Sequence, residues 1–246
     1  MSEPAVRGAI WLVCRLDARD SVPNHGAGRA RWRRPFTCGG TMSTLSALRT
    51  NTLSARLVPD SWLSNIVLVA GGTALMAISA RFSHQFSFST VPITGQTFAV
   101  LLIGALYGSR LAAATMIAYL AEGAAGLPVF AGGHGGIYGG IATPSGGFLF
   151  GFIVAAYVVG WFAERGWDRS RWIMLPMLLG NAIMYVPGLI WLHQQFAIVH
   201  KPISWSTTLD YGLWPFVAGD LAKLVAASLA VPAGWSIVES FRIGRR

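Results

Sequence analysis

Residues 126–147 read GLPVFAGGHGGIYGGIATPSGG. Nine of these 22 residues are Gly and two are Pro. Gly loses the most backbone entropy on ordering and Pro lacks a backbone donor, so no regular helix is expected here. The stretch predicts a loop between two apolar segments. It also carries Leu127, Val129, Phe130, Ile137, Tyr138 and Ile141, where an exposed linker would carry Ser, Lys and Glu. A flexible connector accounts for the Gly and Pro. The apolar residues favour a lid, in which glycine backbone around Gly132 and Gly133 approaches a small molecule and Phe130 and Tyr138 supply flat apolar faces.

The flanking segments set the environment. Of 246 residues 53% are hydrophobic and only 12% charged, where a soluble globular domain would have about 25% charged. Apolar runs near 20 residues cross a bilayer as helices. Six are expected, at about 62–80, 96–107, 111–125, 148–162, 172–196 and 213–238, the second short for a span and open to extension back through Ile93. The expected fold class is all-α, a polytopic membrane protein with six transmembrane helices.

A net charge of +9 raises nucleic acid as a partner, and the placement of the basic residues argues against it. Nine Arg precede the first expected span (Arg7, Arg15, Arg19, Arg29, Arg31, Arg33, Arg34, Arg49, Arg56). Arg110 lies between the second and third, Arg165, Arg169 and Arg171 between the fourth and fifth, and Arg242, Arg245 and Arg246 after the sixth. With both termini in the cytoplasm, 16 of the 19 Lys and Arg fall inside, which satisfies the positive-inside rule. Only Arg81 and Lys201 fall outside, Lys223 lies within the last span, and the glycine-rich loop faces outward. The expected location is a bacterial cytoplasmic (inner) membrane.

Residues 1–60 are Arg-rich and broken by Pro and Gly, without sustained helix or strand period. They are expected to be a basic, disordered cytoplasmic tail ahead of a transmembrane domain at 61–246. A more ordinary sequence opens at Met42, so a start there is expected; a basic arm on anionic lipid is the rival reading. Cys14 and Cys38 lack the spacing of a zinc site, and neither a metal nor another cofactor is expected.

In the first span Ala70 and Ala74 recur at a four-residue interval beside Gly71 and Gly72, the pattern by which membrane helices approach closely. They suit either a partner helix or internal packing. Before the second span Val91-Pro92 favours extended backbone, and Thr94, Gln96 and Thr97 offer donors and acceptors. Asn181 and Tyr185 share a face of the fifth span. Asp220 and Lys223, three apart in the sixth, are the sharpest chemical signal. Each charge costs about 2.5 to 3.5 kcal/mol at a helix centre, so both should face the bundle interior and meet a partner. A closed structural ion pair is the bland alternative.

Four motifs carry a resemblance: VPITGQTF at 91–98, GLPVFAGG at 126–133, PSGGF at 144–148 and GDLAK at 219–223. Together they resemble the BioY family, the membrane-embedded substrate-binding (S) component of energy-coupling-factor (ECF) biotin transporters. Ser145 stands where the family more often has Thr, and residues 1–41 have no counterpart. The resemblance implies a six-helix bundle with an outward-facing site for one biotin, capped by the first and third outer loops, and uptake of biotin from outside the cell. It also implies partners that supply energy, an ECF coupling transmembrane protein and two ATPase subunits, a module that is absent or shared in some relatives. No P-loop occurs in this chain itself.

Asp220 and Lys223 on one helix face suit a ureido ring with its two N–H donors and one carbonyl, although Lys223 also suits a carboxylate. Thr94, Gln96, Asn181, Tyr185, Phe130, Gly132, Gly133 and Tyr138 complete the expected substrate site, with Ala70 and Ala74 expected at the coupling protein. Three alternatives stand beside this reading: an S component for another vitamin, an intramembrane hydrolase or acyltransferase pairing Asp220 with His134 or His193, and a scaffold. No GxSxG and no metal-spaced His-Glu pair supports an enzyme.

Overall fold

The computed structural model describes residues 52–59, 61–85, 89–199 and 202–243. The expectations for residues 1–51, including the tail and the start at Met42, lie outside the described residues. A short helix α1 (Leu53–Leu57) precedes α2 (Trp62–Arg81), whose first turn is capped by the Ser61 hydroxyl accepting from the Ser64 N–H. Two short strands follow, β1 (Ser83–His84) and β2 (Ile93–Thr94), paired antiparallel with Ser83 opposite Thr94. The second expected span therefore does not run back through Ile93. That residue is held in the ladder, and α3 (Gln96–Tyr107) starts after Gly95.

Next comes α4 (Ser109–Ala124), entered through Gly108 at φ +83°. The Glu164 carboxylate accepts from both the backbone N–H (2.8 Å) and the hydroxyl (2.9 Å) of Ser109, and so satisfies the first turn of that helix. The glycine-rich stretch is irregular, with a single 3-10 turn at Ala131–Gly133 and one π turn at Ile137–Ile141. Helix α5 (Gly146–Ala163) leads through short turns at Trp167–Arg169 and Arg171–Ile173 into α6 (Met174–Val199); α7 (Trp205–Gly212) and α8 (Trp214–Ile243) close the chain.

Among the described residues, four helical stretches are long and apolar enough to cross a membrane: Trp62–Arg81, Gly146–Ala163, Arg171–Ile198 and Trp205–Ser240. Helix α3 is apolar but shorter, with 12 residues, and α4 has 16.

Helices α5 and α6 form the tightest pair because α5 presents glycine at the crossing. A Cβ at Gly151 would stand 2.7 Å from the Met184 Cα, and one at Gly147 2.5 Å from the Pro187 carbonyl oxygen; without side chains there, the two backbones approach closely. The core that results gathers Met76, Val100, Ile103, Met116, Tyr119, Phe152, Met177, Met184 and Leu224 from six helices. A smaller cluster of Val91, Leu192, Phe196 and Phe216 sits towards the β-hairpin. Between these two clusters lies the site.

Candidate substrate site

The β-hairpin, the first turns of α3, α5 and α8, the middle of α6 and the glycine-rich stretch enclose a cavity of about 460 Å³, within the roughly 300–1,000 Å³ of small-molecule sites. Its chemistry centres on α8. Asp220 is 3% exposed, a position no carboxylate holds without partners. Its Oδ1 accepts from the Lys223 ammonium at 2.9 Å and from the Thr97 hydroxyl at 3.0 Å. Its Oδ2 accepts from the Tyr185 hydroxyl at 2.6 Å.

The ammonium in turn donates to the Thr94 carbonyl at 2.6 Å and reaches the Thr97 hydroxyl at 3.3 Å. Three helices and the hairpin thus converge on one ion pair. The i, i+3 spacing on α8 brings Asp220 and Lys223 together, and the end of β2 places the Thr94 carbonyl over the ammonium. Gln96 is 3% exposed and its Nε2 donates to the Tyr119 hydroxyl at 2.7 Å.

Aromatic rings form the apolar wall. Phe130 enters from the glycine-rich stretch, and Phe148, Phe152 and Phe216 line the cavity with Leu149 and Met184. Phe148 meets Tyr185 edge-on, with ring centroids 5.8 Å apart. Gln85, Thr90, His134, Thr143 and Ser145 add polar groups around the remainder. Among the described residues no three His, Cys, Asp or Glu side chains group as a metal site.

Of the residues expected from sequence, Asp220, Lys223, Gln96, Thr94, Tyr185, Phe130 and Gly132 line this cavity. Three others do not. Tyr138 is 90% exposed, because the π turn swings it away from the bundle. Gly133 faces Arg81, whose Nη1 would lie 2.6 Å from a Cβ at that position. Asn181 shares the face of Tyr185 but lies one turn nearer the start of α6; it is buried, its Oδ1 has no partner among the described residues, and it is not among the lining residues.

Thr97, Phe148, Phe152 and Phe216 are wall residues that the expected set lacked. Phe148 closes the PSGGF motif and could have been found there, whereas a single Phe in an apolar helix carries no sequence signal. His193 hydrogen-bonds Thr208 at 3.0 Å and stacks on Trp205 at 4.1 Å, and it too is absent from the lining. Ala70 and Ala74 are both exposed on α2.

Comparison with known proteins places the chain in a family. A sequence profile of the BioY family matches residues 47–240. The biotin transporter BioY of Thermotoga maritima is 36% identical over 157 residues, covering 64% of this chain and 87% of that protein. The biotin transporter BioY of Rhodobacter capsulatus is 38% identical over 149 residues, covering 56% and 76%. The crystal structure of the S-component for biotin from an ECF-type ABC transporter superposes with a TM-score of 0.63 at 26% identity, covering 72% of this chain and 93% of that one. With the profile spanning well over half of its length, this chain belongs to the BioY family.

Proposed function

We propose that this protein takes up biotin as the substrate-specific S component of an ECF-type transporter, binding the vitamin in the cavity around Asp220. One observation carries the reading: a buried carboxylate and an ammonium, neutralised by each other and by Thr97, Tyr185 and Thr94, open onto an otherwise aromatic cavity. A cyclic urea fused to an apolar ring needs acceptors for two N–H groups, a donor for one carbonyl and flat apolar walls. The names of the relatives supply the substrate. Membership of a transporter family also displaces the enzyme alternative.

The chain lies in the cytoplasmic membrane with both termini inside. Helices α3 and α4, about 18 and 24 Å long at 1.5 Å per residue, complete six spans with the four longer stretches. The site faces outward, and the β-hairpin and the glycine-rich stretch cap it. The exposed alanines of α2, Ala70 and Ala74, form the face for the coupling protein, which with two ATPases supplies energy.

Titration calorimetry on purified protein tests the substrate. The expected result is one biotin per chain, recovered chemically unchanged; tighter binding of a different vitamin would replace the substrate assignment. For the partner face, Ala74→Trp is expected to abolish energised uptake while leaving biotin affinity within twofold. Loss of both together would place Ala74 in internal packing instead.

A further inference from the structure

Tyr119 lies outside the cavity and outside every expected set, yet it is the largest fully buried side chain, at 0% exposure. Its hydroxyl has two partners. It donates to the Val129 carbonyl at 2.8 Å and accepts from the Gln96 Nε2 at 2.7 Å. A phenol carries a single proton. With that proton directed at Val129, the hydroxyl can only accept from Gln96, so the amide of Gln96 is held with its nitrogen towards Tyr119. The amide oxygen, which has no hydrogen-bond partner among the described residues, remains for the cavity that Gln96 lines.

The same ring anchors the root of the glycine-rich stretch. Phe130 meets it edge-on at 5.6 Å and 89°, and lies in a slot whose walls are glycine: a Cβ at Gly123 would come within 2.1 Å of the Phe130 ring and one at Gly140 within 2.0 Å. The backbone beside it is closed by Phe130 N–H to the His134 carbonyl and Gly133 N–H to the Phe130 carbonyl, each at 3.0 Å.

We infer that Tyr119 is a positioning residue with two outputs: it presents Gln96 to the ligand as a hydrogen-bond acceptor, and it fixes Val129 and Phe130 as a rigid wall of the site. This rests on the biotin reading and deepens it. Gln96 and Asp220 then offer two acceptors, matching the two N–H donors of a cyclic urea. A ligand lacking one of those donors leaves a buried acceptor unpaired and is rejected.

Tyr119→Phe keeps the ring on Phe130 and deletes both hydrogen bonds. Biotin and analogues methylated on one or the other ureido nitrogen are titrated into the full-length protein and the variant. Tyr157→Phe, on the exposed face of α5, serves as control and is expected to match the wild type. The wild type is expected to favour biotin over at least one analogue by tenfold or more. Tyr119→Phe is expected to raise the biotin Kd about tenfold and to narrow that preference at least threefold, because the released amide can turn.

Equal weakening of biotin and both analogues, or no change, overturns the orientation of Gln96. Amide exchange without ligand tests the second output: the Phe130 and Gly133 amides are expected to exchange faster in Tyr119→Phe, and unchanged rates overturn the anchor. Since that measurement needs no ligand, a wild type that binds no biotin would refute the biotin reading while exchange still decides on Tyr119.

Discussion

Asp220 and Asp168 are two buried carboxylates with different employment. Both are almost fully shielded, at 3% and 0% exposure, and each accepts one hydrogen bond from an aromatic side chain: Tyr185 at 2.6 Å for Asp220, Trp235 Nε1 at 2.7 Å for Asp168. Beyond that they diverge. Asp220 also holds Lys223 and Thr97 and lines the cavity. Asp168 sits in the turn between α5 and α6, its Oδ1 has no partner among the described residues, and it lies outside the lining of that cavity. The neighbouring Arg169, whose charge acts on this carboxyl, stacks over the Trp235 ring at 4.9 Å. Burial of a charge therefore does not mark a site by itself; convergence of donors from several elements upon an open volume does.

The largest expected difference is in binding. Asp220→Asn removes the charge that orders Lys223, Thr97 and Tyr185, and an interaction with a charged group is worth about 1.5 to 3 kcal/mol. Biotin Kd should rise more than tenfold by calorimetry, whereas Asp168→Asn should leave it within twofold. If both substitutions weaken binding equally, the distinction between site and staple collapses and Asp220 acts through the fold.

Much of the fold was legible in the residues. Six apolar runs coincide with α2, α3, α4, α5, α6 and α8 to within a few residues, because in a bilayer hydropathy and length dominate the choice of helix. The Asp220–Lys223 contact followed from spacing alone. What could not be read was rotation and depth. Asn181 and Tyr185 share a helix face, yet one turn of α6 separates a cavity wall from the packed interior. Tyr138 looked like a companion to Phe130, but the π turn carries it outward. Phe130 finds its slot only because Gly123 and Gly140 are brought together from helix and loop, 17 residues apart in sequence. Nor did any pattern mark Glu164 as the cap of α4 or Trp235 as the partner of Asp168, since both depend on tertiary approach.

Intermediate in size is the effect of withdrawing the aromatic donor at the opposite end from the site. Trp235→Phe preserves a ring beneath Arg169 and Arg56, whose Cζ atoms lie 4.9 and 6.0 Å from it, and removes the Trp235 N–H donated to the Asp168 carboxylate. The Asp168 carboxylate is then left to its own backbone N–H and the Arg169 charge, and the lost hydrogen bond to a buried charged group costs about 2 kcal/mol. The melting temperature in detergent should fall while biotin affinity of the folded protein stays within twofold. A loss of affinity that matches Asp220→Asn would mean that the two ends are energetically coupled.

The smallest effect is the pH dependence of stability at Asp168. Burial pushes this carboxyl above its ordinary value of 3.8, and the Trp235 N–H and the Arg169 guanidinium pull it partly back. A carboxyl whose folded value is raised binds its proton more tightly in the native state, so its favourable contribution is complete below 3.8 and declines as pH rises through the folded value. Above that value the burial cost of the charge is constant. Asp168→Asn keeps an oxygen for the Trp235 N–H and cannot ionise. Melting curves of the two proteins should therefore lie closest in acid; the wild type should lose ground to the variant as pH climbs from about 3.8, after which the gap should be flat towards neutrality. A gap that does not change with pH would mean that Asp168 titrates alike in folded and unfolded chains. A gap that opens in the opposite sense would mean that Arg169 outweighs burial and that Asp168, like Asp220, is a charge the fold has been built to hold.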